Sequence, residues 1–337
     1  MLPLIRIDLK KIEHNTRTIT STFNSLGIEM VGVTKACLGS PNVAGAMIAG
    51  GASLIADSRL LNLRRLINTG VPLMALRQPM HSEIPQVAEI TDICLVSELS
   101  TIRLLSGAAE SIRKRYKVIV MVETGDLREG VLPGDLLAFV KEAMDLPWID
   151  IEGIGTNVAC LQGISPTPAV LERLVESAYL LRKNLGIELP VISGGNSSAW
   201  KLIETGLVPS EVNQFRLGEA ILLGQETINF DPIPGTFQDA IILEAEIIEV
   251  KEKPVLLHTR NVRKRAILAL GVQDICRGEM RPLDTGAQLL RRSSDHLVID
   301  VTGSQFTYGA GDSMAFLPSY EAMLAAMTSP FVEKVFV

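Results

Sequence analysis

The chain lacks the features that mark several common classes of protein. It has no basic excess: 32 Lys and Arg stand against 38 Asp and Glu, for a net charge of -6. Nucleic acid is read by a basic face, so no such partner is expected. No apolar run approaches the ~18 residues of a membrane span. The opening "MLPLIRIDLK" has neither the charged start nor the long apolar core of a secretory signal, and a cytoplasmic location is expected. Cysteine and histidine are scarce, at four each. Cys37, Cys94, Cys160 and Cys276 form no CxxC pair and read as reduced core residues. His14, His81, His258 and His296 are scattered without HxxxH or HExxH, so no metal site is expected.

What is present is a globular balance, 47% hydrophobic and 21% charged, in a length that suits one large domain and a smaller one. From residue 30 to 225 one theme repeats: a short apolar run, a polar turn, then an amphipathic stretch. The runs are "MVGVTK" (30–35), "ASLIAD" (52–57), "VPLMAL" (71–76), "DICLVS" (92–97), "KVIVMVET" (117–124), "IDIEGIGT" (149–156), "LPVISG" (189–194) and "VNQFRL" (212–217). Between the sixth and seventh runs lies the clearest helical pattern, "TPAVLERLVESAYLLRKNLG", stopped by Gly186. Strands alternating with helices pair in parallel through crossovers. Eight such units imply an α/β fold, a (β/α)8 TIM-type barrel, in preference to an open doubly wound sheet. Pro232, Pro234 and Gly235 then mark a boundary. Beyond it strands are expected at 240–251, 254–259, 266–272, 296–302 and 313–319. The expected domains are a barrel over 1–230 and a C-terminal β-rich domain over 231–337, with "LIRIDLKKIEHN" as a strand and helix start able to join either.

In such a barrel, function collects at the C-terminal ends of the strands. The first ends on Lys35, a residue type seldom fully buried unless paired or used. The fifth runs into "ETGDLREG", with Glu123, Asp126, Arg128 and Glu129. The sixth ends at Thr156 and Asn157, the seventh at "SGGNSS", and the eighth at "FRLGEA" with Arg216 and Gly218. Gly194 and Gly195 permit close backbone approach to a ligand, and Asn196, Ser197 and Ser198 suit a helix cap that faces an anion. A lysine able to form a Schiff base, a phosphate cradle and a cationic partner for a ring nitrogen together describe a pyridoxal 5'-phosphate (PLP) pocket. The lysine must be desolvated for its amine to be neutral, which burial at the strand tip would achieve.

These segments resemble the alanine-racemase-type PLP enzymes of fold type III. "VGVTKACLG" is similar to their lysine segment, and "RIDLKKIEHN" to their opening strand and helix. "ETGDLREGV", "GIGTNVAC", "SGGNSS", "VNQFRLGEAILLG", "SSDHLVIDVT" and "AMTSPFVEKV" look closest to the ornithine racemase branch. The resemblance implies a racemase of small or basic amino acids such as ornithine, working as a homodimer. It implies that Lys35 carries PLP and acts as one catalytic base, and that Arg216 bonds the pyridine nitrogen. It places Arg128 near the phenolic oxygen or the substrate carboxylate. Asn196, Ser197 and Gly218 would hold the phosphate, and Asn157 would line the pocket where relatives carry histidine.

Two positions depart from that pattern. Val272 stands where alanine racemases use a tyrosine as the opposite-face base, and Gly39 stands where another tyrosine helps bind phosphate. Asp274 and His296, ahead of Cys276 and Asp295, are the candidates for the second base; histidine titrates near neutral pH. The cluster Arg260, Arg263, Lys264 and Arg265 reads as a solvated face or a carboxylate clamp. Glu123, Asp126 and Glu129 are candidate acids for a basic substrate's distal amine. The alternatives are a non-catalytic PLP carrier, whose relatives lack a β-domain, and a decarboxylase or lyase of the same fold. The first lacks support in the extra C-terminal residues; the others lack a cysteine motif and paired metal ligands.

Overall fold

A computed structural model describes residues 3–159, 165–255 and 261–337. Cys160, His258, Arg260 and most of the strand expected at 254–259 lie outside the described residues.

The chain opens with β1 (Leu4–Ile7) and α1 (Leu9–Ser25). The Asp8 carboxylate caps α1 by accepting the Lys11 N–H at 3.0 Å. The units that follow are β2 (Glu29–Val33), α2 (Pro41–Ala49), β3 (Leu54–Asp57), α3 (Leu60–Leu66), β4 (Leu73–Ala75), α4 (Ile84–Ile90), β5 (Ile93–Val96) and α5 (Leu99–Ser111). Then come β6 (Tyr116–Met121), α6 (Leu136–Met144), β7 (Ile149–Gly155), α7 (Pro168–Leu185), β8 (Val191–Asn196), α8 (Trp200–Glu204), β9 (Gln214–Leu217) and α9 (Glu219–Leu223). Strands β2 to β9 form a closed parallel barrel, sealed where Gly32 of β2 pairs with Leu217 of β9. The eight strands fall within the eight apolar runs of the sequence, apart from a residue or two at their ends. These strands are short and buried, and β2 to β5 are largely apolar, as parallel strands covered by helices tend to be.

Side chains alternate between two cores. Met30 and Ile55 face the helices, whereas Val31, Val33, Leu54, Ala56, Met74, Leu95, Ile119 and Met121 meet inside the barrel. This inner apolar cluster draws on β2 to β6. The β8 and β9 side of the barrel is polar instead: Phe215 and Leu217 join the outer core, which leaves Gln214 and Arg216 on the inner face beside Ser193. That polar half was not legible in the runs of apolar letters.

The C-terminal region comprises β10 (Ile241–Pro254), β11 (Val262–Leu268), α10 (Val272–Ile275), β12 (Met280–Pro282), β13 (Gln288–Arg292), β14 (Leu297–Asp300), β15 (Ser313–Pro318), α11 (Tyr320–Thr328) and β16 (Glu333–Phe336). Its sheet runs β12-β15-β10-β11-β14-β13, and β1 joins it between β10 and β16. So the first strand belongs with the last ones, while α1 packs on the barrel helices α2 and α9. The strand expected at 266–272 sits earlier, at 262–268, because Arg263, Lys264 and Arg265 lie on a half-exposed antiparallel strand that tolerates charge. "GVQDI" is a helical turn, and Cys276, expected in a core, is exposed. Cys37 and Cys94 are buried free thiols.

Candidate active site

Lys35 follows β2 by two residues and opens a single 3-10 turn, Lys35–Cys37. Residues 31, 33 and 35 share one face, so Lys35 continues the inner row of the barrel to its mouth. A hydrogen-bonded platform fixes the turn. The Thr34 N–H donates to Ala56 O at 3.0 Å, and the Thr34 hydroxyl donates to Asp57 Oδ2 at 2.9 Å. The other Asp57 oxygen accepts from Asn62 Nδ2 and the Arg59 N–H, each at 3.0 Å. Burial still pushes the Asp57 carboxyl above its ordinary range against those bonds. The turn exits through two left-handed residues, Leu38 (φ 54°) and Gly39 (φ 61°). A Cβ on Gly39 would come within 2.6 Å of Asn62 O. A side chain at this position would require the backbone to move. Burial pushes the neighbouring Cys37 thiol up to about 12, which removes it as a nucleophile.

Lys35 itself is exposed, which corrects the expectation that the strand tip would desolvate it. The side chain rises past the barrel rim, with Nζ 5.9 Å from the centre of the Tyr320 ring. Helix α11, which begins at Tyr320, packs on the Lys35 turn. The C-terminal region therefore contributes directly to the mouth of its own barrel. Nothing in the sequence near position 320 announces this; the contact exists only once the two regions meet.

Strand β9 lies between β2 and β8, so Lys35, Arg216 and the "GGNSS" turn stand on three adjacent strand ends. Arg216 is 3% exposed. Its guanidinium donates to Ser193 Oγ, to Thr156 O at 2.7 Å and to Asn157 Oδ1 at 2.9 Å. Asn196 reaches the same Asn157 oxygen at 3.5 Å and caps the next turn by accepting the Ser198 N–H at 2.9 Å. Ser197 Oγ accepts the N–H groups of Gly218 and Ala220 at 3.4 and 3.2 Å. A Cβ on Gly218 would meet Val33 O at 3.0 Å, so the bare backbone lets β9 turn into α9 against β2. Asn157, Asn196, Ser197, Arg216 and Gly218 thus form one linked group beside Lys35.

The other candidates are placed differently. Arg128, on the loop after β6, pairs with Glu129 and lies 3.9 Å from Asp126. Glu123 accepts the Gly125 N–H within the same loop. Asp274 is buried in the C-terminal region, where its oxygens accept the Gly271 N–H at 3.2 Å and the Ser329 hydroxyl at 3.1 Å. His296 is exposed between β13 and β14 and is bonded through its backbone to Ser293. Within the described residues neither Asp274 nor His296 is joined to Lys35 by a hydrogen bond, ion pair or ring contact. Glu219, which follows Gly218, escaped the sequence reading although the motif "FRLGEA" contains it. Burial pushes its carboxyl up to about 7, opposed by Lys35 and assisted by Glu226.

Comparison with known proteins agrees with this geometry. Residues 7–225 match the family model described as alanine racemase, N-terminal domain. The chain belongs to the alanine racemase family. It is 39% identical to a lysine racemase of Thermotoga maritima, across 99% of this chain and 98% of that one. It is 37% identical to an ornithine racemase of Acetoanaerobium sticklandii, across 99% of each. An alanine racemase structure from Clostridium difficile 630 superposes with a TM-score of 0.74 at 18% identity, covering 100% of this chain and 96% of that one. A D-threonine aldolase from Filomicrobium marinum gives 0.79 at 17% identity, covering 97% and 89%. The shared fold therefore hosts several chemistries, and the site must decide among them.

Proposed function

We propose that the chain is a PLP-dependent amino-acid racemase acting on a basic amino acid such as lysine or ornithine. The observation that carries the reading is the placement of Lys35, Arg216 and the Ser197 turn on three adjacent strand ends. This donor set fits the cofactor's three recognisable parts. An amine at the mouth suits its aldehyde, a buried donor-only guanidinium suits its ring nitrogen, and a Ser/Asn turn with backbone N–H groups suits its phosphate. When bound, PLP acidifies the Cα proton of an attached amino acid.

The chain's own residues do the rest. Lys35 holds the cofactor and moves a proton at one face of Cα. Arg216, fixed by Thr156 O and Asn157, always donates and never takes a proton from the ring. Asn196 and Ser197 order the turn that receives the phosphate, and Arg128 steers the substrate carboxylate or the phenolic oxygen. Racemisation also needs a proton group on the opposite face, drawn from the C-terminal region. His296, exposed and with no hydrogen bond to its ring among the described residues, suits that role better than Asp274, whose oxygens serve Gly271 and Ser329. The exposure of Lys35 in a single chain favours a homodimer in which a second copy covers the mouth and excludes water. The free buried thiols are consistent with a cytoplasmic setting.

A non-catalytic cofactor carrier is the second reading. The packing of α11 on the Lys35 turn weighs against it, because a carrier has no use for a β-domain at the site. Purified protein with PLP and single L-amino acids distinguishes the two. Loss of optical rotation with lysine or ornithine is expected; no loss across basic and small amino acids would favour the carrier.

A further inference from the structure

A basic substrate brings a second ammonium group into the barrel mouth, and burial of that charge requires an anionic partner. The acids near the mouth are nearly all engaged. Asp57 serves Thr34, Asn62 and the Arg59 N–H. Glu129 is paired with Arg128, which also lies beside Asp126. Glu226 accepts three backbone N–H groups, those of Ile228, Asn229 and Asp231.

Glu219 is the exception. Its carboxyl receives no hydrogen bond and no ion pair from any described residue. Its position follows from strand register. Gly32 pairs with Leu217, and Gly218 abuts Val33, so Glu219 stands beside the Thr34–Lys35 step of the adjacent strand. Lys35 is the cation that acts on it. A carboxyl group held partly out of water, beside the lysine that receives the substrate, has no cation in ion-pair contact among the described residues.

We infer that Glu219 selects the substrate: its carboxylate receives the distal ammonium of a basic amino acid bound at Lys35. This rests on the racemase reading above and names the specificity determinant within it. The determinant then lies at the start of α9 and not on the loop after β6, where Glu123, Asp126 and Glu129 are held locally.

The test compares holoenzyme and E219Q with L-lysine and with L-norleucine, which has the same carbon skeleton and no distal amine. Norleucine serves as a substrate or, failing turnover, as a competitive inhibitor. For E219Q, kcat/KM for lysine should fall roughly 100-fold, mostly through KM, with norleucine affected less than about threefold. Calorimetry supplies a readout apart from turnover: 1,5-diaminopentane should bind wild type and lose its affinity for E219Q. E219D, which retains the charge one methylene further back, should shift preference several-fold from ornithine towards the longer lysine. Equal losses for lysine and norleucine, together with weaker PLP binding, would assign Glu219 to the cofactor and overturn the inference. Lysine turnover that E219Q leaves intact would overturn it while the racemase reading stands. Wild-type turnover of norleucine with none of lysine or ornithine would overturn both the substrate class and Glu219's role.

Discussion

Glu219 at the barrel mouth and the buried carboxylates of the C-terminal sheet are treated in opposite ways. In the sheet region the buried carboxylates of Asp274, Asp284 and Asp300 are used up by structure. Burial alone would raise Asp284, but bonds from Ser304, the Gly286 N–H and Tyr308 outweigh it and hold it below its ordinary range. Asp300 behaves likewise, with Thr302 and Arg263 overcoming burial. At the mouth the balance reverses. Burial raises Glu219 with no hydrogen bond to oppose it, and Lys35 stands exposed. The lesson is that a fully bonded ionisable group stabilises a fold, whereas one left without a donor in a cleft is available for chemistry.

The comparison predicts that mouth substitutions cost activity and sheet-region substitutions cost stability. The largest effect falls on Lys35. K35A should lower racemisation by about 10^4-fold or more, while Tm stays within a degree or two, because Lys35 makes no buried bond. Retained turnover would break the assignment. Arg216 bridges both behaviours, being buried and part of the mouth. R216Q should abolish most activity and also destabilise the chain by about 2–3 kcal/mol in urea unfolding, since Thr156 O and Asn157 lose their donor.

Glu219 gives a smaller, pH-dependent effect. The folded chain holds its proton to about pH 7, whereas the unfolded chain releases it near 4.5. Across that window the folded state binds more protons, so its stability falls as pH rises, by on the order of a few kcal/mol in the cofactor-free chain. Lys35 opposes the effect and Glu226 adds to it. Urea midpoints that decline towards neutrality less steeply in E219Q than in wild type would show it. The smallest change is D274N. Asparagine keeps one acceptor oxygen, so the loss of one of the two bonds to Gly271 and Ser329 should cost about 1–2 kcal/mol with kcat little altered, whereas H296Q should slow turnover at unchanged stability. The reverse pattern would make Asp274 the second base.

Much of this was legible in the residues. The barrel strands announced themselves because a strand buried on both faces must be a continuous apolar run, and such runs recur from Val31 to Leu217. The strand-end rule drew Lys35, Asn157, Asn196, Ser197, Arg216 and Gly218 from loops that the fold brings together at one end of the barrel. The C-terminal strands were less legible. Half-exposed antiparallel strands such as "VRKRAIL" and "QLLRR" carry charges that read as surface loops. Glu219 was overlooked because its lack of a donor is not a property of its letter, and Tyr320 because it meets Lys35 across the whole length of the chain.

The sequence by itself determined the barrel, the β-rich region after it and which lysine, arginine and serine-asparagine turn stand at the barrel's strand ends. Each is a local matter of apolar periodicity, strand ends and caps. The tertiary structure alone decided which of these groups stand together. Closure of β9 against β2 sets Arg216 and Glu219 beside Lys35. The return of α11 lays Tyr320 over the lysine turn, and the bonds of Asp274 commit it to its own fold. Whether an acidic residue is a strut or a site depends on the donors around it, and those come from distant parts of the chain.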